Sequence, residues 1–74
     1  MNALETQVGG FHYSTMAIQP VEYITKNNIP FLDGCAIKYI SRHRSKNGVQ
    51  DIDKAIHCLQ LLKQLEYGKE NTTG

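Results

Sequence analysis

The chain has 74 residues, with eight Lys and Arg against seven Asp and Glu, for a formal charge of +1. That length admits one domain, and a hydrophobic content of 41% with only two prolines excludes disorder along the whole chain. No apolar run approaches the roughly 18 residues of a membrane span and no signal-peptide pattern opens the sequence, so a soluble cytoplasmic protein without membrane partners is expected.

Residues 1–11 hold a Gly9-Gly10 break and no sustained periodicity, which predicts an N-terminal arm, extended or a mobile tail. A single small helical domain is expected over 12–68, with no strand signal apart from a short extended piece before Gln19. Pro20 suits the first turn of a helix, because its missing N–H has no intrahelical partner there. This first helix is predicted over Pro20–Lys26, with Val21, Tyr23 and Ile24 inward and Asn27-Asn28 as its end. A second helix is predicted from Phe31 to Arg44, since Leu32, Cys35, Ala36, Tyr39 and Ile40 recur at spacings of three and four. Gly34 costs roughly 1 kcal/mol relative to Ala inside that helix, so a close approach by another backbone or a ligand is expected there. Ser45-Lys46-Asn47-Gly48 reads as a turn.

The third helix carries Ile52, Ala55, Ile56, Leu59, Leu62 and Leu65 on a 3.6-residue period, with Asp51 as its cap, Asp53 near the positive end of its dipole and Gly68 as its stop. Residues 69–74 are polar with nothing to bury and are expected as a disordered tail. The expected fold is all-α: a short N-terminal helix packed on an αα-hairpin. So short a chain hides only about 60% of its unfolded surface, so a homo-oligomer is expected to complete the core.

Cys35 and Cys58 stand 23 positions apart without a CxxC pair, and are expected as reduced, core-facing thiols. The histidines are scattered, and no metal site is indicated. The charge is not evenly spread. Residues 38–46 hold Lys38, Arg42, Arg44 and Lys46 and no carboxylate, so this segment carries +4 and the remainder −3. On a helix, Lys38, Arg42 and Lys46 fall at i, i+4 and i+8 and form one stripe, with Arg44 on its flank. Such a stripe either grips phosphates or is a solvated face whose cations pair with Asp51, Asp53 or Glu22. Asp51 and Asp53 either cap the third helix or hold a Mg²⁺ that accompanies nucleotide phosphates. His12 and Tyr13 either contact a base or sugar or anchor the N-terminal arm as a buried pair. No Walker phosphate loop and no GxSxG elbow occur.

The ordered series His12-Tyr13, Ile18-Gln19-Pro20, Tyr23-Ile24, Phe31, Gly34, Lys38-Tyr39, Arg42, Lys46, Gly48, Asp51 and Lys54-Ala55 resembles the small bacteriophage domain family labelled SaV-like, of unknown function. That family also includes part of the nucleotide kinase of the T-odd coliphages. The resemblance spans about residues 8–67. It implies a phage protein acting in the host cytoplasm, with His12, Tyr13, Gln19, Lys38, Arg42, Lys46 and Asp51 at the family's recurring polar positions. Cys35 departs from the Asn often found there.

The leading expectation is therefore an accessory protein that binds nucleotides, cyclic nucleotides included, through the basic helix stripe in a pocket shared between subunits, and thereby modulates the nucleotide pool or sequesters a host defence signal. One alternative is nucleoside-monophosphate phosphoryl transfer without a Walker loop, for which positioning and charge stabilisation suffice. Another is an interaction module that targets a host protein through the broad apolar face of the third helix. Nucleic acid is a poor partner, because a pI near 7.8 falls short of the basic footprint such binding needs.

Overall fold

A computed structural model describes residues 16–68, which form three α-helices and no strand: α1 (Pro20–Lys26), α2 (Phe31–Arg42) and α3 (Val49–Tyr67). The extended piece expected before Gln19 is a bend over 16–18 where it is described. The predicted arm over 1–11 and tail over 69–74 lie outside the described residues, as do His12 and Tyr13.

Local chemistry sets the helix ends. Pro20 opens α1, and the Asn27 Nδ2 amide donates to the Tyr23 carbonyl at 2.9 Å at its close. Asn28 then takes φ +52, a left-handed conformation that Asn tolerates, and Ile29 N–H donates back to the Ile24 carbonyl at 3.0 Å. α2 ends at Arg42, two residues short of the predicted Arg44. The Ser45 N–H and hydroxyl both donate to the Arg42 carbonyl, at 3.0 and 3.2 Å, and turn the chain away. Gly48 precedes α3 at φ +56, ψ −126, a region essentially restricted to glycine. Gly68 closes α3 in the left-handed conformation, donating its N–H to Gln64 O at 3.1 Å.

α2 packs chiefly on α3, and α1 touches α2. The buried hydrophobic residues are small: Ala36, Ala55 and Cys58. Small side chains let two helix backbones approach closely but leave the larger apolar residues outside the seam. Ile56 and Leu59 are each 47% exposed and Leu65 is 71% exposed, so the predicted inward stripe of α3 is only partly inward. Residues Asp51, Ala55 and Cys58 define the face it buries. Val21 and Tyr23 are likewise exposed, because α1 is only seven residues long and meets α2 through Ile24. The contact explains Gly34: a Cβ there would lie 3.0 Å from Ile24 Cγ2. The close approach expected at this glycine comes from a side chain.

Candidate functional site

The seam between α2 and α3 holds a polar centre that helical spacing alone does not reveal. Asp51 is the third residue of α3 and not its cap, because the helix begins at Val49. Its side chain is fully buried. Arg42 Nε and Nη2 both donate to Oδ1, at 3.2 and 3.1 Å, while the Asn47 backbone N–H donates to Oδ2 at 3.2 Å. The Asn47 side-chain amide adds a longer donation to Oδ1 at 3.4 Å. Burial pushes the Asp51 carboxyl up, but these donors outweigh it and hold it below its ordinary value of 3.8. The guanidinium of Arg42, only 11% exposed, also lies 4.8 Å from the Tyr39 ring centroid, and Lys54 Nζ lies 5.6 Å from the same ring.

This centre dismantles the predicted stripe. Arg42 turns into the seam and binds α3 to the end of α2. Lys46 lies in the turn after α2, not a further helical turn along it, so no i, i+4, i+8 row forms. Lys38, Arg44 and Lys46 are exposed. The pairing of a stripe cation with Asp51, one of the two expectations above, holds for Arg42. Lys26 at 3.6 Å is the cation beside Glu22. Asp51 and the exposed Asp53 are two residues apart on one helix and do not face each other, so they do not assemble as a Mg²⁺ pair. Among the described residues, no three His, Cys, Asp or Glu side chains gather as a metal site. Gln19 is buried at the entrance to α1.

A concave site exists on the other side of α2. A groove of about 500 Å³ is lined by Pro20, Val21 and Ile24 of α1, Ile29 of the connection, and Phe31, Gly34, Cys35 and Lys38 of α2. Its volume lies in the range of small-molecule sites, which are mostly apolar with a few placed polar groups. Lys38 is the one charged lining residue. Phe31, 80% exposed, lies seven residues earlier and so on the same face of α2, about 10.5 Å away along the axis. The groove thus presents an aromatic ring at one end and a cation at the other, over an aliphatic floor. Lys38 was legible from charge. The groove and Phe31 were not, because the packing of α1 over Gly34 creates them. The strong signal, in retrospect, was Gly34 inside an amphipathic helix.

Cys35 reaches from the groove toward Cys58, and both thiols are free. Burial and the adjoining Cys35 thiol push the Cys58 thiol up, which keeps it protonated. The expectation of reduced thiols directed to the core fits buried Cys58 and half-buried Cys35. Asp33, in the first turn of α2, has a buried Oδ1 without a hydrogen-bond partner.

No helix among the described residues is long and apolar enough to cross a membrane. In comparison with known families, the profile described as "Protein of unknown function (DUF3310)" matches residues 9–60. No curated protein and no solved structure matches the chain.

Proposed function

The chain belongs to the DUF3310 family, and we propose that it is a small nucleotide-binding protein whose ligand lies in the groove between α1 and α2. The observation that carries this reading is the pairing of Phe31 and Lys38 across one apolar groove of about 500 Å³. A nucleotide has a flat aromatic base at one end and a phosphate at the other. Base–aromatic stacking on an exposed ring contributes roughly 1–3 kcal/mol, and an ammonium in a low-dielectric rim attracts a phosphate more strongly than one in open water. Val21, Ile24 and Ile29 cover the sugar and the second face of the base. Arg44 and Lys46, exposed after the end of α2, contribute a field that draws anions toward this end of the molecule.

The reading keeps Lys38 as the phosphate contact and moves Arg42 and Asp51 from ligand binding to support of the fold. It retains, as proposals, a phage accessory role in the host cytoplasm and control of a nucleotide pool or a nucleotide signal. Calorimetric titration with thymidine and guanosine monophosphates, ATP and a cyclic dinucleotide tests it. At least one of them binds, and Lys38→Ala and Phe31→Ala each weaken that binding about tenfold, a loss of about 1.4 kcal/mol. Lys46→Ala changes it much less. Absence of binding to all four at high micromolar concentration, or equal loss from Lys46→Ala, contradicts the reading.

A further inference from the structure

The antiparallel seam between α2 and α3 keeps one register along its length. Arg42 meets Asp51 at 3.1 Å beside the connecting turn. Three residues back along α2 and three forward along α3, Lys54 Nζ lies 5.6 Å from the Tyr39 ring centroid. A further four residues along each helix set Cys35 opposite Cys58, and the two thiols adjoin. Seven residues make two helical turns and drift only about 20° around the axis. Cys35 and Cys58 therefore share the facing sides that bring Arg42 and Asp51 together. Ala36 and Ala55, 7% and 1% exposed, let the two backbones run close there. A disulfide needs Cα atoms about 4.4–6.8 Å apart and Cβ atoms directed toward each other. Facing positions on closely packed antiparallel helices suit both demands.

The two thiols differ in access. Cys58 is buried in the seam, whereas half-buried Cys35 also lines the groove, so a reagent entering the groove reaches Cys35 first. Lys38 follows Cys35 by three residues on the same wall and gives an anionic reagent a cation to lie against. We propose that Cys35 and Cys58 form a dithiol site that a small-molecule disulfide, such as glutathione disulfide, converts reversibly to an internal disulfide between α2 and α3. The Cys35 thiolate attacks one sulfur of the small disulfide and releases one small thiolate, which leaves a mixed disulfide in the groove. Cys58 then loses its proton to water, attacks the Cys35 sulfur and expels the second small thiolate. One disulfide is reduced to two thiols while two protein thiols are oxidised to one disulfide, and the two departing thiolates take up the two protons released. Burial and the neighbouring thiol keep Cys58 protonated, which makes the second step the slower one. In a reducing compartment the pair rests as two thiols, and the bond is a response to oxidation. The site uses the groove only as an entrance, so the inference does not depend on the nucleotide reading.

Mass spectrometry of the folded wild-type chain after incubation with glutathione disulfide tests the proposal without any variant. The expected product has lost two hydrogen atoms, yields a proteolytic peptide joining Cys35 to Cys58, and returns to the starting mass with dithiothreitol. Its melting midpoint is expected to rise by about 10 °C, because a link between residues 23 positions apart constrains the unfolded chain. Cys58→Ala is expected to stop at a glutathione adduct on Cys35. Cys35→Ala, which leaves only the buried thiol, is expected to react at least about tenfold more slowly than Cys58→Ala. Lasting separate adducts on both cysteines of the wild type, disulfide links only between chains, or no reaction of the folded chain would overturn the inference.

Discussion

Replacing Asp51 with alanine is expected to lower the folding equilibrium at least ~100-fold, because it removes the fully buried carboxylate that ties the Arg42 guanidinium to α3. Both carboxylate oxygens are used, Oδ1 by Arg42 and Oδ2 by the Asn47 N–H, so the change also frees the turn that leads into α3. A domain of this size has little stability in reserve, and the cooperative thermal transition is expected to disappear at ambient temperature. The matched double change Arg42→Met with Asp51→Leu removes both charges and restores much of the loss, since apolar pairs of similar volume often replace a buried ion pair without penalty. Acid acts on the same centre. A carboxyl held below 3.8 contributes stability that is fully present above that value and is lost as pH falls through the lowered folded value. Thermal melts from neutral to strongly acidic solution should therefore show a falling midpoint in the wild type, and a smaller fall in the double variant. A single Asp51→Ala variant that melts like the wild type would refute this assignment.

The second large effect is expected at Ala55, which is 1% exposed where α3 meets α2. Leucine adds three carbon atoms at a seam lined by Ala36, Cys58 and the Arg42–Asp51 pair. The helices must separate or the side chain must leave its preferred rotamer, at a cost of about 1–3 kcal/mol. In a domain of this size each kcal/mol lowers the melting midpoint by about 4–8 °C. Lys63→Leu on the exposed side of the same helix should fall within about 0.5 kcal/mol of the wild type. Thermal melts of the two variants side by side check the contrast. Equal midpoints would mean that the seam is looser than the burial of Ala55 indicates.

These two positions also mark how far the sequence could be read. Helix periodicity, Pro20, Asn27-Asn28 and Gly68 located all three helices, because local chemistry decides where a helix begins and ends. Periodicity could not say which part of a broad apolar stripe is buried. α3 is apolar around much of its circumference, and the choice fell to the residues small enough for close contact, Ala55 and Cys58, with Asp51 at their head. Counting Ile56 and Leu59 as inward followed their hydrophobicity, while burial followed shape. Charge patterning behaved similarly. The cations at 38, 42 and 46 are equivalent on a helical wheel, yet α2 stops at Arg42, and a partner nine residues later turns that side chain inward. That partner was already among the carboxylates expected to neutralise the stripe. Lys38 alone keeps both its place on the helix and its exposure. The groove beside it depends on how α1 lies across Gly34, a tertiary fact that local spacing does not contain.

The most direct test of the central claim, a nucleotide seated between Phe31 and Lys38, is a nucleotide titration followed by amide and methyl shifts in wild-type protein. Shifts concentrated on Val21, Ile24, Ile29, Cys35 and Lys38, with the Ile56 and Leu59 methyls unmoved, are the predicted result. Shifts confined to Arg44 and Lys46, or none at saturating nucleotide, would contradict it.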